Sequence, residues 1–348
     1  MNSAQSMKLD VKYRARAWFF GLLPFLAAFL AATTMLIIGS ANPGRALASF
    51  FLSPLSNAFY FGNMIDQAGM ILLCALGFVL TWKLGVFNLG GEGQAYLSAL
   101  VSVEFAIYAP QLAGPAGIFL AALIGAMVAG LLGLLVGFLR EKLGISELIA
   151  SFLMSAAIGP LLDFAISGPL RNTSSNFLST PSPEPGYFLT ALSPPSSLSV
   201  SIFLGPICAL LMFWILKSSK IGYEIRLIGN NREFADSQGV KSGLIVMACL
   251  TISAAFHGLA GASAVFSSRH SAFVGLTSGL GWNGIAAALM GRGHPLGAIV
   301  GALLFAYIGA GAKAAMIYTD FTFELGTVIQ GLVFLLVTLR FVRRRNKL

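Results

Sequence analysis

The residues best equipped for chemistry sit in two glycine-punctuated stretches of a largely apolar chain. In LGVFNLGGEGQAYLSAL, glycines at 85, 90, 91 and 93 bracket Asn88, Glu92 and Gln94, and in GLTSGLGWNGIAAALMGRG, glycines at 275, 279, 281 and 284 surround Thr277, Ser278 and Asn283. Primary amides both donate and accept, so Asn88, Gln94 and Asn283 can trade partners with a neutral polar solute without stranding a charge. Phe87, Phe273 and Trp282 offer ring faces to a nucleobase or a sugar alike. Glu92 is harder to place, because a carboxylate deep in a bilayer costs on the order of 2.5 to 3.5 kcal/mol unless something compensates it. One reading, the preferred one, puts Glu92 with Gly90, Gly91 and Gly93 at the start of a half-helix whose dipole and free N–H groups favour an anion. The other turns Glu92 toward a path beside Asn88 and Gln94.

Enzymatic signatures are missing. The sequence has no GxxxxGK[ST] phosphate loop, no HExxH and no GxSxG, and His257, His270 and His294 fall in different regions. Cys74, Cys208 and Cys249 each lie inside an apolar run without CxxC or Cys/His spacing, so neither a metal centre nor a disulfide framework is expected. No catalytic residue is assigned.

The elements that must position these residues are membrane helices. Of 348 residues, 57% are hydrophobic and 10% charged, against about 25% charged in soluble proteins, and mean hydropathy is +0.82. That excludes a soluble enzyme and predicts an all-α polytopic membrane protein. Apolar runs near 17–39, 62–82, 86–109, 112–139, 145–168, 198–217, 242–266, 276–291, 295–316 and 324–340 predict ten crossings of about 20 residues each. The first run is too long for the apolar core of a cleavable signal, about 7 to 15 residues, so it is expected to remain as a span.

A net charge of +9 would suggest nucleic acid in a soluble protein, but here its distribution reads topology, and no nucleic-acid partner is expected. With the N-terminus in the cytoplasm and spans alternating, only Arg45, Arg171, Arg269 and Lys313 of the 22 basic residues fall outside. Both termini are therefore expected inside, with a cytoplasmic tail at 1–16, a transmembrane domain at 17–340 and a basic cytoplasmic tail at 341–348.

Two loops exceed what connection requires. The outer one, 169–197, is rich in proline and serine and cannot be a regular helix throughout; a solvated lid is the plain expectation, a docking surface the functional one. The inner one, 217–241, reads as two short helices at the cytoplasmic surface. Ile221, Ile225 and Ile228 at i, i+4 and i+7 form an apolar stripe on the first. Gly229 is expected to end it in the left-handed conformation, Asn230 to cap the second helix with Glu233 as reciprocal partner, and Gly239 to stop that one. Such a pair suits a surface that receives force from a soluble partner, or simply an interfacial anchor.

Helices interrupted at membrane depth are tolerated only where the freed backbone is buried in protein or faces a cavity, and paired interruptions in two halves of a chain point to a transport path. Close packing through small residues explains the glycines equally well. The competing transport class is an ion-coupled secondary transporter with Asp66, Glu92 or Asp163 as its carboxylate. A membrane scaffold is the plain alternative, against which the interruptions argue.

Three stretches taken together, GVFNLGGEGQ at 85–94, EIRLIGNNREFADSQGV at 224–240 and GWNGIAAALMGRGHPLGA at 281–298, resemble the signatures of ABC-importer permeases of the branched-chain amino acid, ribose and nucleoside group. The third is most similar to the nucleoside-type permeases. The resemblance, over about 17–340, implies a permease subunit that moves nucleosides or a related sugar inward by alternating access, in the bacterial inner (plasma) membrane. It implies a second, different permease as partner, cytoplasmic ATPase subunits that use ATP and Mg, and an extracytoplasmic binding protein, with no cofactor held by this chain. Coupling to the ATPase would run through Ile221, Glu224, Ile225, Arg226, Ile228, Gly229, Asn230, Phe234, Ala235 and Gly239. Where relatives often carry paired alanines, this chain has Phe234 and Ala235 followed by Asp236 and Ser237. A simple-sugar or branched-chain amino acid permease of the same group is the alternative substrate reading.

Overall fold

The structure, a computed structural model, describes residues 30, 33–320, 328–332 and 335. Among the described residues every regular element is helical, and the two β-type pairings are isolated bridges. In chain order the helices are α1 (Pro43–Ser56), α2 (Ala58–Lys83), α3 (Gly91–Tyr108), α4 (Pro115–Leu143), α5 (Glu147–Ser167), α6 (Leu204–Ser218), α7 (Lys220–Asn230), α8 (Arg232–Ser237), α9 (Ser242–Ala264), α10 (Leu280–Met290) and α11 (Pro295–Tyr318). Two compact units share the chain: Asn57–Ala306, and the residues up to Ser56 together with those from Tyr307.

Six helices among the described residues are long and apolar enough to cross a bilayer: α2, α4, α5, α6 with the turn before it, α9 with its extension to Arg269, and α11. They coincide with the runs expected at 62–82, 112–139, 145–168, 198–217, 242–266 and 295–316. The runs at 17–39 and 324–340 lie largely outside the described residues. The remaining two differ from expectation. Helix begins only at Gly91 in the run expected at 86–109, and the run at 276–291 contains only the 11 residues of α10. At 1.5 Å per residue α10 is about 16 Å long, roughly half the thickness of a bilayer core.

The larger unit is organised around α2. Asn57 caps it by accepting the Tyr60 N–H at 2.9 Å, and Lys83 closes its last turn. Within α2's apolar window 89% is buried, against 22% in α5 and in α6, so α2 is the inner helix and the other two present apolar faces outward. Helix α9 packs on α4, α3 and α2. Lipid supplies no hydrophobic drive between helices, so contact depends on small residues and interhelical hydrogen bonds. The Ser98 hydroxyl of α3, for instance, donates to the Gly258 carbonyl of α9 at 2.8 Å. In the other unit Asp320 accepts from the Ser40 hydroxyl at 2.6 Å and the Ala41 N–H at 2.8 Å, and these bonds hold its carboxyl below the usual range.

The loop at 169–197 contains no α-helix, as its prolines require, but it is no loose lid. Thr180 N–H donates to Ala272 O at 2.8 Å, Val274 N–H to Leu178 O at 3.2 Å and Leu189 N–H to Phe266 O at 2.8 Å. Tyr187 is fully buried and donates to Ala109 O at 2.7 Å. The loop thus latches onto the stretch that leads into α10.

Candidate functional site

Between Lys83 and Gly91 the chain is not helical, so the N–H groups of that stretch need partners outside it. The end of α2 takes those of Leu84, Gly85 and Val86, and one stripe of helix α5 takes those of Phe87 and Leu89 and, in the first turn of α3, that of Gly93. Phe87 N–H donates to Glu147 Oε1 at 3.3 Å, Leu89 N–H to Ser151 Oγ at 3.0 Å and Gly93 N–H to Ser155 Oγ at 2.8 Å. Residues four apart on a helix share a face, so 147, 151 and 155 form a ladder of acceptors facing the open backbone. Two turns further on, Asp163 accepts the Tyr96 hydroxyl at 2.6 Å and the Gly275 N–H at 3.4 Å. The sequence reading missed this stripe except for Asp163, which it weighed only as an ion-binding carboxylate. The signal was available: polar residues at four-residue spacing in an otherwise apolar helix.

Asn88 turns inward. Its Nδ2 donates to Gln94 Oε1 at 3.0 Å and Ser253 Oγ at 3.1 Å, while its Oδ1 accepts from Gly90 N–H at 3.0 Å and Gln94 Nε2 at 3.1 Å. Gln94 Oε1 also meets His257 Nδ1 at 2.9 Å. Asn88 and Gln94 are 1% and 2% exposed. Both are expected on a substrate path; in this structure their hydrogen-bonding groups hold the non-helical stretch onto α3 and α9.

Glu92 lies in the first turn of α3, as the structural reading holds, but its carboxylate reaches elsewhere. Oε1 accepts the Gly279 N–H and Oε2 the Gly281 N–H, both at 2.8 Å, at the N-terminus of α10. Gly279 adopts φ 83°, and a Cβ on Gly281 would collide with the Glu92 backbone nitrogen. One carboxylate at the start of α3 thereby closes the open end of α10. The other expected path residues lie in varied settings. Trp282 is 42% exposed and lies edge-on to Phe152 at 6.2 Å, Asn283 is half-buried in the first turn of α10, and Phe87 is half-buried edge-on to Trp82 at 5.5 Å.

The inner loop forms two short helices, with corrections of detail. Helix α7 runs through Gly229, which is not left-handed, to Asn230; Gly229 is instead where α7 lies against the Lys83 carbonyl, with no room for a Cβ. The break consequently falls one residue later, and Asn231, not Asn230, caps α8 by accepting the Phe234 N–H at 2.9 Å. Glu233 then stands one place too early for the reciprocal bond expected of it. Gly239 does follow α8 with φ 80°. Ile225 and Ile228 are 2% and 5% exposed and Ala235 is fully buried, whereas Ile221 and Phe234 are 59% and 50% exposed. The apolar stripe therefore seats α7 on α6 and α2 rather than facing outward. Glu224 pairs with Lys220 at 3.7 Å, and Arg226 is half-buried. Arg232 donates to both oxygens of Glu141 on α4, which raises its pKa above the usual range.

Six helices of crossing length among the described residues, with the starts of α3 and α10 tied by one carboxylate, define an all-helical multi-pass membrane protein. The chain belongs to the branched-chain amino acid transport system / permease component family, matched over residues 60–338. It is thus the permease component of a transport system. It is 28% identical over 309 residues to "Probable riboflavin import permease protein RfuC" of Treponema pallidum, covering 88% of this chain and 81% of that one. It is 25% identical to the nucleoside ABC transporter permease protein NupB of Lactococcus lactis, covering 92% and 91% of the two chains. To the glucose ABC transporter permease protein TsgB13 of Haloferax volcanii it is 27% identical, covering 97% and 92%. No solved structure matches the chain.

Proposed function

We propose that this chain is one of two different permease subunits of an ATP-driven importer that carries nucleosides into a bacterial cell by alternating access. Cytoplasmic ATPase subunits, using ATP and Mg, supply the energy, and an extracytoplasmic binding protein delivers the substrate. The chain crosses the inner membrane ten times with both termini inside, the stretches at 84–90 and 270–279 being interruptions of two of those crossings. Residues 169–197 face outward, 217–241 face the ATPase, and 1–16 and 341–348 are cytoplasmic tails.

The observation that carries this reading is the Glu92 junction. It ties together the helix starts that follow the two irregular stretches, and rigid-body motion of such elements against each other is one way a path can open. Trp282 and Asn283 beside it, with Phe87, are the residues assigned to the path. Chemistry supports the substrate class: riboflavin and nucleosides, named for two of the relatives, both join a flat nitrogen heterocycle to a ribose-derived chain. Ile221 and Phe234, exposed on α7 and α8, are assigned to the ATPase contact, while Ile225 and Ile228 anchor it.

The test is uptake into proteoliposomes holding the complete complex. Tritiated guanosine should accumulate only with ATP, and unlabelled uridine should compete more strongly than riboflavin or glucose. Uptake driven by a proton or sodium gradient without ATP would instead establish the ion-coupled class.

A further inference from the structure

A chain of four charged side chains connects the inner loop to the first interrupted stretch. Arg232 of α8 grips Glu141 with both terminal nitrogens of its guanidinium, one of them 2.9 Å from Oε1. Arg140, adjacent in the last turn of α4, lies with Nε 3.4 Å from Glu141 Oε1, and that nitrogen makes no aligned hydrogen bond. The far end of the same guanidinium pairs with Glu147 Oε2 across the turn at Gly144. Glu147 Oε1, in turn, accepts the Phe87 N–H at 3.3 Å.

The two acids are the buried members, with side chains 7% and 10% exposed, while Arg140 and Arg232 are 26% and 41% exposed. A carboxylate so enclosed is costly to leave unpaired, far more than an exposed one. Fork-to-fork arginine pairs also have definite geometry, so partners exchange in steps rather than sliding. If Arg232 moves outward with α8, Glu141 loses its two-pronged partner, and the nearest cation able to replace it is Arg140. Turning Arg140 fully onto Glu141 takes it from Glu147, whose carboxylate also holds the backbone at Phe87. The loose Arg140–Glu141 contact is the joint where this exchange occurs.

We infer that Arg232, Glu141, Arg140 and Glu147 form a partner-exchange relay by which movement of α8 repositions the 84–90 stretch. None of the four touches substrate; they are positioning residues. The inference rests on the functional reading above for what moves α8, and it adds the residues through which the motion reaches the path.

The experiment uses the complete complex in nanodiscs, with Cys208→Ser and a reporter thiol at Leu89→Cys; Cys74 and Cys249 are buried. In the otherwise native chain, ATP with vanadate should change the rate of maleimide modification at the reporter by about fivefold or more. Arg232→Gln, Glu141→Gln and the double variant should each reduce that change to below about twofold, and the double variant should be no worse than either single, as for residues acting as one unit. ATPase co-purification should stay near native in all three; Arg232→Gln alone, which leaves the enclosed Glu141 without its two-pronged partner, should lower the melting temperature, and the double variant, which removes that charge as well, should melt closer to native. A full reporter response in the single variants, additive losses in the double, or a loss that merely follows melting temperature would overturn the relay. Failure of the native chain to co-purify with any ATPase would overturn the functional reading itself, and the relay with it.

Discussion

Glu92 and Gly281 meet across the protein: the carboxylate of one accepts the backbone N–H of the other at 2.8 Å, and its second oxygen does the same for Gly279. The first N–H groups of any helix lack partners within it, and the dipole makes that end attractive to an anion. Glu92 stands in the first turn of α3 and at the head of α10, so two helix N-termini converge on a single negative charge. That answers how a carboxylate is accommodated at this depth.

Glu92→Gln should accordingly act first on stability. Glutamine retains one acceptor oxygen but turns an NH₂ donor toward the second N–H and removes the charge. Hydrogen bonds to charged groups contribute about 1.5–3 kcal/mol, and a loss in that range is expected, read as a lower midpoint of thermal unfolding in detergent. Uptake per folded complex should stay near native. Normal stability with impaired uptake would return Glu92 to the path.

Two neighbouring glycines should separate by mechanism. Alanine at Gly281 drives a methyl group into the Glu92 backbone nitrogen, which cannot move aside as a side-chain tip would; overpacking of this kind costs about 1–3 kcal/mol. Alanine at Gly279 meets nothing within 4 Å and bears only the strain of φ 83°, about 1 kcal/mol. Gly281→Ala should therefore be the more destabilising of the two in thermal melts, and the reverse order would contradict the tight junction.

The α5 ladder gives a matched comparison among serines. Ser151 receives an N–H from the non-helical stretch before α3 and Ser155 one from the first turn of α3, whereas Ser167 bonds the Asp163 carbonyl of its own helix at 2.7 Å. Removing a sole acceptor from a buried N–H costs about 1–3 kcal/mol. Ser151→Ala and Ser155→Ala should each lower thermal stability by amounts in that range, with Ser167→Ala near neutral. Equal effects at all three would mean the 84–93 backbone is held by something else.

What the sequence conveyed and what it withheld divide along range of interaction. Hydrophobic runs located the long helices because burial in lipid is written locally, and Gly91 and Glu92 marked a helix start by local composition alone. The bond that Asn88 makes to Ser253 was not legible, because Ser253 lies 165 positions away and nothing nearby distinguishes an amide that lines a path from one that locks a fold. Glu92 is half understood for the same reason: its own helix was visible, but the helix it closes is 187 residues on. In the inner loop α7 runs past Gly229, which lies against the Lys83 carbonyl far away in sequence, and the cap falls on Asn231 rather than Asn230.

That loop also yields a prediction opposite to the one its apolar stripe first suggests. Ile225 is buried on the inward side of α7, so Ile225→Asp places a charge inside the protein, where an unpaired ion is penalised heavily. The variant should be poorly folded, with low yield from the membrane whether or not any partner is present. Phe234 is 50% exposed on α8, and exposed aromatic side chains are frequent anchors of protein interfaces. Phe234→Asp should leave yield and melting temperature near native, since surface substitutions usually change stability by no more than about 0.5 kcal/mol, yet abolish co-purification with the ATPase. Measuring yield, melting temperature and co-purification for both variants separates seat from contact. Should Phe234→Asp bind the ATPase normally while a folded Ile225→Asp does not, the contact would lie on the buried stripe and α7 would have to lift away to expose it.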